Sequence, residues 1–357
     1  MTLCREAGLL KDWRFWLGTL VSAGCLALSM RGVDFSGLGQ VMAQARWAWL
    51  LPALALYLAG YWSRCSRVSQ LMRPVKDVPA RRIVAPLMVG FLFNNILPGR
   101  LGEFVLAWLL GRREGVSRTA AFAAVVLSRI LDGFTILCFF LFGLLSFLPM
   151  GGGLEQGGAV LILGHSFARQ EILGKVYLAA ILSLLVFGAV LLGCFCLMVW
   201  KEWTLSMVER VLYLLPARIS RASVKALERF IGGLDILRDP RALFGIFLFN
   251  FVPWGLEAFT YLFAGWCLGI DLNLRQVCLV MGMTNLAMIL PAAPGGIGLF
   301  EFAGLQAMAL FGFPSDRSLA FMLLVHLIIL LPINALGAFF MLREGISFRE
   351  ALAGGRE

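Results

Sequence analysis

Charge is scarce in this 357-residue chain: 15% of its residues are Asp, Glu, Lys or Arg, and 60% are hydrophobic. Soluble domains run near one quarter charged. No polar stretch is long enough to make a soluble domain; the longest, about 201–241, is amphipathic. Histidine occurs only as His165 and His326, which gives a histidine-built metal or nucleophile site little support. The eight cysteines are scattered and form no C-x-x-C, so they read as small buried hydrophobes and not as a disulfide or metal framework. The glycines at 151–153 and 157–158 lack a following Lys-Ser/Thr, which excludes a P-loop. No ATP or other cofactor motif is visible, so no cofactor is expected.

Long apolar runs are what the chain does have. Several reach the roughly 20 residues that span a bilayer, which makes this an all-α, polytopic membrane protein. The net charge of +10 does not point to nucleic acid, because the basic residues sit at the ends of apolar segments, where membrane orientation accounts for them. Full spans are expected at about 14–30, 47–63, 119–148, 173–200, 242–268 and 318–342. The first follows Arg5, Lys11 and Arg14 and lacks a clean small-residue cleavage site, so an uncleaved anchor is expected.

Two apolar pairs remain, 83–97 with 101–111 and 276–291 with 297–312. Each arm is short for a span, and each pair is joined by Pro/Gly at membrane depth. Irregular backbone there is tolerated only inside protein or beside a water-filled cavity. The pairs therefore read as re-entrant helical hairpins. The two breaks resemble each other. One reads Asn95-Ile96-Leu97-Pro98-Gly99-Arg100-Leu101-Gly102-Glu103. The other reads Pro291-Ala292-Ala293-Pro294-Gly295-Gly296-Ile297-Gly298-Leu299-Phe300-Glu301. One such break per half predicts an inverted repeat, with halves at about 14–148 and 173–342 carrying hairpins 83–111 and 276–312.

Charge placement tests this arrangement. Twenty-three basic residues fall on one side, including Arg64, Arg67, Arg73, Lys76, Arg81 and Arg82, and six fall on the other. The rich side is assigned to the cytoplasm, with both chain termini there. The stretch 201–241 is read as a cytoplasmic amphipathic linker lying among anionic headgroups, or as a docking site for a soluble partner.

Ionisable groups at membrane depth are costly and mark function by default. The candidates are Arg100 and Glu103 at the first break, Glu301 after the second, Arg129 and Asp132 in the third span, and Glu257 after Pro253-Trp254. Each restarted helix exposes unpaired N–H groups and a partial positive charge, which suits an anion. Arg100 adds a guanidinium fork matched to phosphate. Glu103 and Glu301 either cap their helices or meet a headgroup. Arg129 and Asp132, at i and i+3, pair with each other, and Arg129 also faces a phosphate in the functional reading. Glu257 is a proton-linked carboxylate or a hydrogen-bonded buried acid. Asn94, Asn95, Thr284 and Asn285 satisfy freed carbonyls or bind a headgroup. His326 is a packed helix residue.

In combination, the first break, Gly115-Val116-Ser117, Ser128-Arg129-Ile130-Leu131-Asp132 and the Pro-Gly-Gly-x-Gly-x-x-Glu of the second break resemble the lysylphosphatidylglycerol synthase transmembrane-region family, also called flippase-like. The resemblance covers roughly residues 15–345. It implies a bacterial inner-membrane protein that moves a lipid between leaflets. Synthase activity is not implied, because the soluble aminoacyl-transferase domain of the fullest members is not present in these residues. Ser128, Leu106 and His326 stand where relatives often carry charge, so the substrate is expected to differ. The leading expectation is a transporter, not an enzyme, for a phosphate-containing lipid. Arg100, Glu103, Arg129, Asp132, Glu301, Asn95, Gly102, Gly295, Gly296, Gly298 and Glu257 would form the site. The rivals are a lipid-linked transferase and a membrane scaffold.

Overall fold

The computed structural model describes residues 13–31, 33–97, 101–147, 159–162, 165–214, 217–234, 236, 239–290 and 292–354. Helices dominate. In chain order they are α1 (Trp13–Ser29), α2 (Phe35–Ala43), α3 (Leu50–Met72), α4 (Ala80–Ile96), α5 (Gly102–Glu114), α6 (Arg118–Leu144), α7 (Arg169–Val199), α8 (Lys201–Val211), α9 (Ala217–Gly233), α10 (Pro240–Cys267), α11 (Leu274–Ala287), α12 (Leu299–Leu310), α13 (Ser315–Arg343) and α14 (Phe348–Gly354). A short antiparallel ribbon pairs Ala159–Ile162 with His165–Ala168.

Among the described residues, four helical stretches are long and apolar enough to cross a membrane: Arg118–Leu144, Ala180–Val199, Phe244–Cys267 and Ser315–Arg343. Helix α1 has 17 residues, and α3 has 23 but carries Arg64 and Arg67 in its length. The chain is thus an all-α polytopic membrane protein.

The two segment pairs expected as hairpins are pairs of short packed helices. Helix α4 has 17 residues and α5 has 13, about 26 and 20 Å at 1.5 Å per residue, against a hydrocarbon core of about 30 Å. Their contact is close because Gly102 has no side chain: a Cβ there would lie 1.9 Å from the Gly90 carbonyl oxygen. The partner pair is α11 and α12. Helix α11 starts with a reciprocal cap, in which Asn273 accepts from the Gln276 N–H and the Gln276 side chain accepts from the Asn273 N–H.

Helix pairing is reciprocal between the halves. Helices α3 and α10 run antiparallel: the Arg46 N–H ahead of α3 donates to the Cys267 carbonyl, Thr260 meets Ala53, Gly60 meets Pro253, and Arg67 meets Asn250. Helix α6 packs on α11 of the second hairpin, Gly143 against Leu279 and Phe140 against Gly282. Its counterpart α13 packs on α4 of the first hairpin, Gly337 against Met88 and Leu92. One apolar cluster spans α3, α10, α11, α12 and α13, and a second spans α3 to α6.

Two expectations need correction. The helix of the second expected span runs on past 63: α3 continues to Met72, so Arg64 and Arg67 lie inside a helix. They are 5% and 1% exposed. Carboxylates and amides surround the two guanidiniums and offset their desolvation. The linker 201–241 is also more docked than expected. Gly233 packs against Ala120 and Ala123 of α6, and Ile231, Leu234 and Ile236 are buried. The apolar face of α9 is thus spent partly on the bundle.

Candidate functional site

A buried ionic network sits where α3, α5, α6 and α10 meet. Arg67 makes a fork to Asp132, with Nη1–Oδ1 at 2.7 Å and Nη2–Oδ2 at 3.0 Å. Its Nη2 also donates to Ser128 Oγ at 2.8 Å, and its Nη1 donates to Asn250. Asn250 in turn donates to the Leu131 carbonyl at 2.7 Å and to Thr135. Trp254 Nε1 donates to Asp132 Oδ1 at 2.8 Å. Arg129 Nη1 donates to Asp132 Oδ2 at 3.0 Å, the expected i, i+3 pair.

Arg64 extends the network to Glu257. Its Nη2 donates to Glu257 Oε2 at 2.9 Å, and its Nη1 lies 3.7 Å from Asp132 Oδ1. Its guanidinium is stacked over Trp254, 4.3 Å from the ring centroid, a contact that stabilises a buried cation. Asn285 of α11 donates to the Met281 carbonyl of its own helix at 2.9 Å. On the other flank, Arg129 Nε lies 2.7 Å from Glu103 Oε1 as a charge contact, and Asn94 donates to the same oxygen at 3.0 Å.

The result is three arginines, Arg64, Arg67 and Arg129, set against three carboxylates, Glu103, Asp132 and Glu257. The set balances in charge. It is incompletely satisfied in hydrogen bonds: Glu103 Oε2, Asn94 Oδ1 and the Nε atoms of Arg64 and Arg67 are buried without a hydrogen-bond partner. Polar groups held in that way cost free energy and are uncommon inside a folded chain.

The second break forms its own cluster. Gly295, Gly296 and Gly298 have φ of 71°, 73° and 90°, conformations open to glycine. Gly298 is also crowded: a Cβ would lie 2.2 Å from the Ser22 carbonyl oxygen of α1. Glu301 Oε2 accepts the Gly298 N–H at 2.6 Å, which closes the first turn of α12. Its Oε1 meets His326 Nδ1, and His326 Nε2 donates to the Gly295 carbonyl at 2.9 Å. Both carboxylate oxygens of Glu301 are therefore engaged, and the residue is 2% exposed. Ser22 accepts the Ala293 N–H at 2.7 Å.

The two breaks come together. Asn95 of α4 donates to Asn334 of α13 at 2.8 Å, and its carbonyl oxygen lies 3.9 Å from where a Gly295 Cβ would stand. The structure thus gathers Glu103, Arg129, Asp132 and Glu257 in one network. It places Asn95, Gly295, Gly296, Gly298 and Glu301 at the second break and uses Gly102 for helix packing. Arg100 lies outside the described residues, together with Pro98, Gly99 and Pro291. Thr284 donates to carbonyls of its own helix, at 3.0 Å to Val280 and to Met281.

Arg64, Arg67 and Asn250 were not legible as site residues from their local surroundings. A signal existed: Tyr57, Tyr61, Arg64, Val68 and Leu71 recur at three or four residues, and this stripe is buried. Asn250, Trp254 and Glu257 repeat the spacing on α10.

Fold and site define a class: a multi-pass helical membrane protein with a buried, charge-balanced ionic network between its helices. The lysylphosphatidylglycerol synthase TM region family matches residues 15–337, and the chain belongs to that family. Curated relatives include a UPF0104 membrane protein of Methanothermobacter thermautotrophicus, 25% identical over 301 residues and covering 82% of each chain. A second is the UPF0104 membrane protein PH1989 of Pyrococcus horikoshii, 22% identical over 281 residues, 73% of this chain and 77% of that one. A third is the glycosyltransferase AglD of Haloferax volcanii, 26% identical over 314 residues, 82% of this chain. The alignment spans 48% of the glycosyltransferase's length. No solved structure matches the chain.

Proposed function

We propose that the chain is a flippase-like transporter that moves a phosphate-containing lipid between the leaflets of a bacterial inner membrane. The observation that carries this reading is the buried network of Arg64, Arg67, Arg129, Glu103, Asp132 and Glu257, with donors and acceptors left open among them. Arginine forks match phosphate oxygens. A headgroup phosphate would take over contacts that Asp132 now supplies, and the carboxylates would meet hydroxyl or ammonium donors of the same headgroup. The acyl chains would stay in the bilayer. Arg100, at the first break, completes the site in this reading.

The reciprocal pairing of α3 with α10, α6 with α11 and α13 with α4 supports an inverted repeat, with halves at about 14–148 and 173–342 and re-entrant hairpins as the repeated element. With Arg64 and Arg67 taken into the bundle, the charge census becomes 21 basic residues against six. That balance still favours cytoplasmic termini and a cytoplasmic 201–241.

The test is leaflet exchange of labelled lipids in liposomes holding the purified protein. The reading expects faster exchange for at least one phosphate-bearing lipid and loss of that rate in Arg67→Gln. No acceleration across a broad lipid panel would sink it. A second reading, a lipid-linked transferase, is favoured by the name of one relative, the glycosyltransferase. Lipid profiles of a deletion strain separate the two: an enzyme's loss removes a lipid species, whereas a transporter's loss alters only its leaflet.

A further inference from the structure

A cleft of about 560 Å³ opens where the base of the first hairpin meets the end of the last long helix, lined by Arg81, Val84, Ala85, Arg113, Phe340, Arg343 and Glu344. Arg113 is paired with Glu344 at 2.7 Å. Arg81 and Arg343 have no partner among the described residues, so the cleft carries two unbalanced positive charges. Arg343 is in the last turn of α13, where the helix dipole favours a cation. Arg81 is placed the other way. It stands in the first turn of α4, whose cap residue Pro79 makes no side-chain bond and whose first turn holds no acid. A cation at an uncapped N-terminus raises a local positive potential that an anion would relieve. Val84, Ala85 and Phe340 give the same cleft an apolar wall.

We infer that this cleft binds a phosphate group, with Arg81 and Arg343 as its ligands and Val84 and Phe340 against whatever apolar group the phosphate carries. The site is separate from the buried network and stands whether or not the chain moves lipids. Two sources share the chemistry: a phospholipid headgroup and a soluble phosphate or phosphate ester.

The experiment uses the full chain in nanodiscs of phosphatidylcholine with a graded fraction of phosphatidylglycerol, and native mass spectrometry of the lipid retained on release. Arg81→Gln with Arg343→Gln is expected to weaken phosphatidylglycerol retention about tenfold or more, since two charge-assisted contacts are lost. Arg31→Gln with Arg46→Gln removes equal charge from two exposed positions elsewhere and is expected to leave retention unchanged. Arg81→Lys with Arg343→Lys keeps the charge, is expected to retain most binding, and guards against misfolding. Inorganic phosphate and glycerol phosphate are titrated against the protein in pure phosphatidylcholine discs. Arginine-dependent binding there assigns the site to a soluble ligand. Equal loss in the cleft pair and the control pair, or loss in neither with no soluble binding, overturns the proposal. Leaflet exchange of the same variants in liposomes separates this outcome from the transport reading.

Discussion

Asp132 is the hinge of the ionic network, and Asp132→Asn is its sharpest perturbation. The carboxylate takes two bonds from Arg67, at 2.7 and 3.0 Å, one from Arg129 at 3.0 Å and one from Trp254 at 2.8 Å. Arg64 lies 3.7 Å away. Asn keeps the shape but removes the charge. Arg64, Arg67 and Arg129 would then face only Glu103 and Glu257, and the buried set would carry an uncompensated positive charge. Breaking a buried pair in this way costs about 3–5 kcal/mol, most of it the desolvation of the stranded partner. The second variant discriminates. Arg67→Met with Asp132→Asn restores the balance of charge, and replacing a buried pair by apolar groups is often close to neutral. The double variant is therefore expected to recover about 1–3 kcal/mol relative to the sum of the singles, the coupling typical of residues in one network. The assay is reversible unfolding in mixed micelles of the four proteins of the cycle. A cost under about 1 kcal/mol for Asp132→Asn, or strict additivity in the double, would refute the network as a coupled unit.

Gly102→Ala puts a Cβ 1.9 Å from the Gly90 carbonyl and 2.6 Å from Asn94 Oδ1; this overpacking is expected to cost at least about 3 kcal/mol, read as loss of the monodisperse folded peak in size-exclusion chromatography. Gly298→Ala strains a φ of 90° and drives into Ser22; cross-linking between α1 and the second break should fall sharply, whereas Gly24→Ala, which meets no neighbour, should leave it intact. Asn334→Ala removes the acceptor of the Asn95 side chain and is expected to cost about 1 kcal/mol in a melting series. Asp34 lies outside the spans at the start of α2, where the Ser36 hydroxyl and N–H hold its carboxyl below the usual aspartate range. A lowered folded value means its contribution is present above the unfolded value and lost as pH falls through the folded one. Exchange protection of the first turn of α2 should fall below about pH 4, and Asp34→Asn should flatten that dependence.

The legible part of this protein is the part set by composition and periodicity. Long apolar runs mark the spans. The two Pro/Gly interruptions mark where each pair of short helices is divided, because a Pro/Gly pair ends a helix. Arg129 and Asp132 could be paired from their spacing alone. Their other partners could not. A charge within one helical turn of an apolar run reads as a flank, and Arg64 and Arg67 stand near enough to Arg73 to pass as loop residues. Only the tertiary pairing of α3 with α10 brings Asn250, Trp254 and Glu257 against them. The same holds for Glu301. Its spacing from Gly298 announces a cap, but His326 is 25 residues away and meets it only because α12 packs on α13.

The residues that local rules miss fall in one place, and that bears on function. Local rules put charge at helix ends and apolar residues within; this chain breaks the rule on α3, α6 and α10 at the level where those helices meet. Stability does not require it. Replacing buried ion pairs by apolar residues is often neutral or stabilising, so a bundle selected for packing alone has no use for three arginines there. The buried atoms left without partners, Glu103 Oε2 and Asn94 Oδ1 beside the Nε atoms of Arg64 and Arg67, sharpen the point. A purely structural network would close on itself. Open donors and open acceptors side by side are what the proposed transport reading uses, since a phosphate-bearing headgroup would bring partners for both.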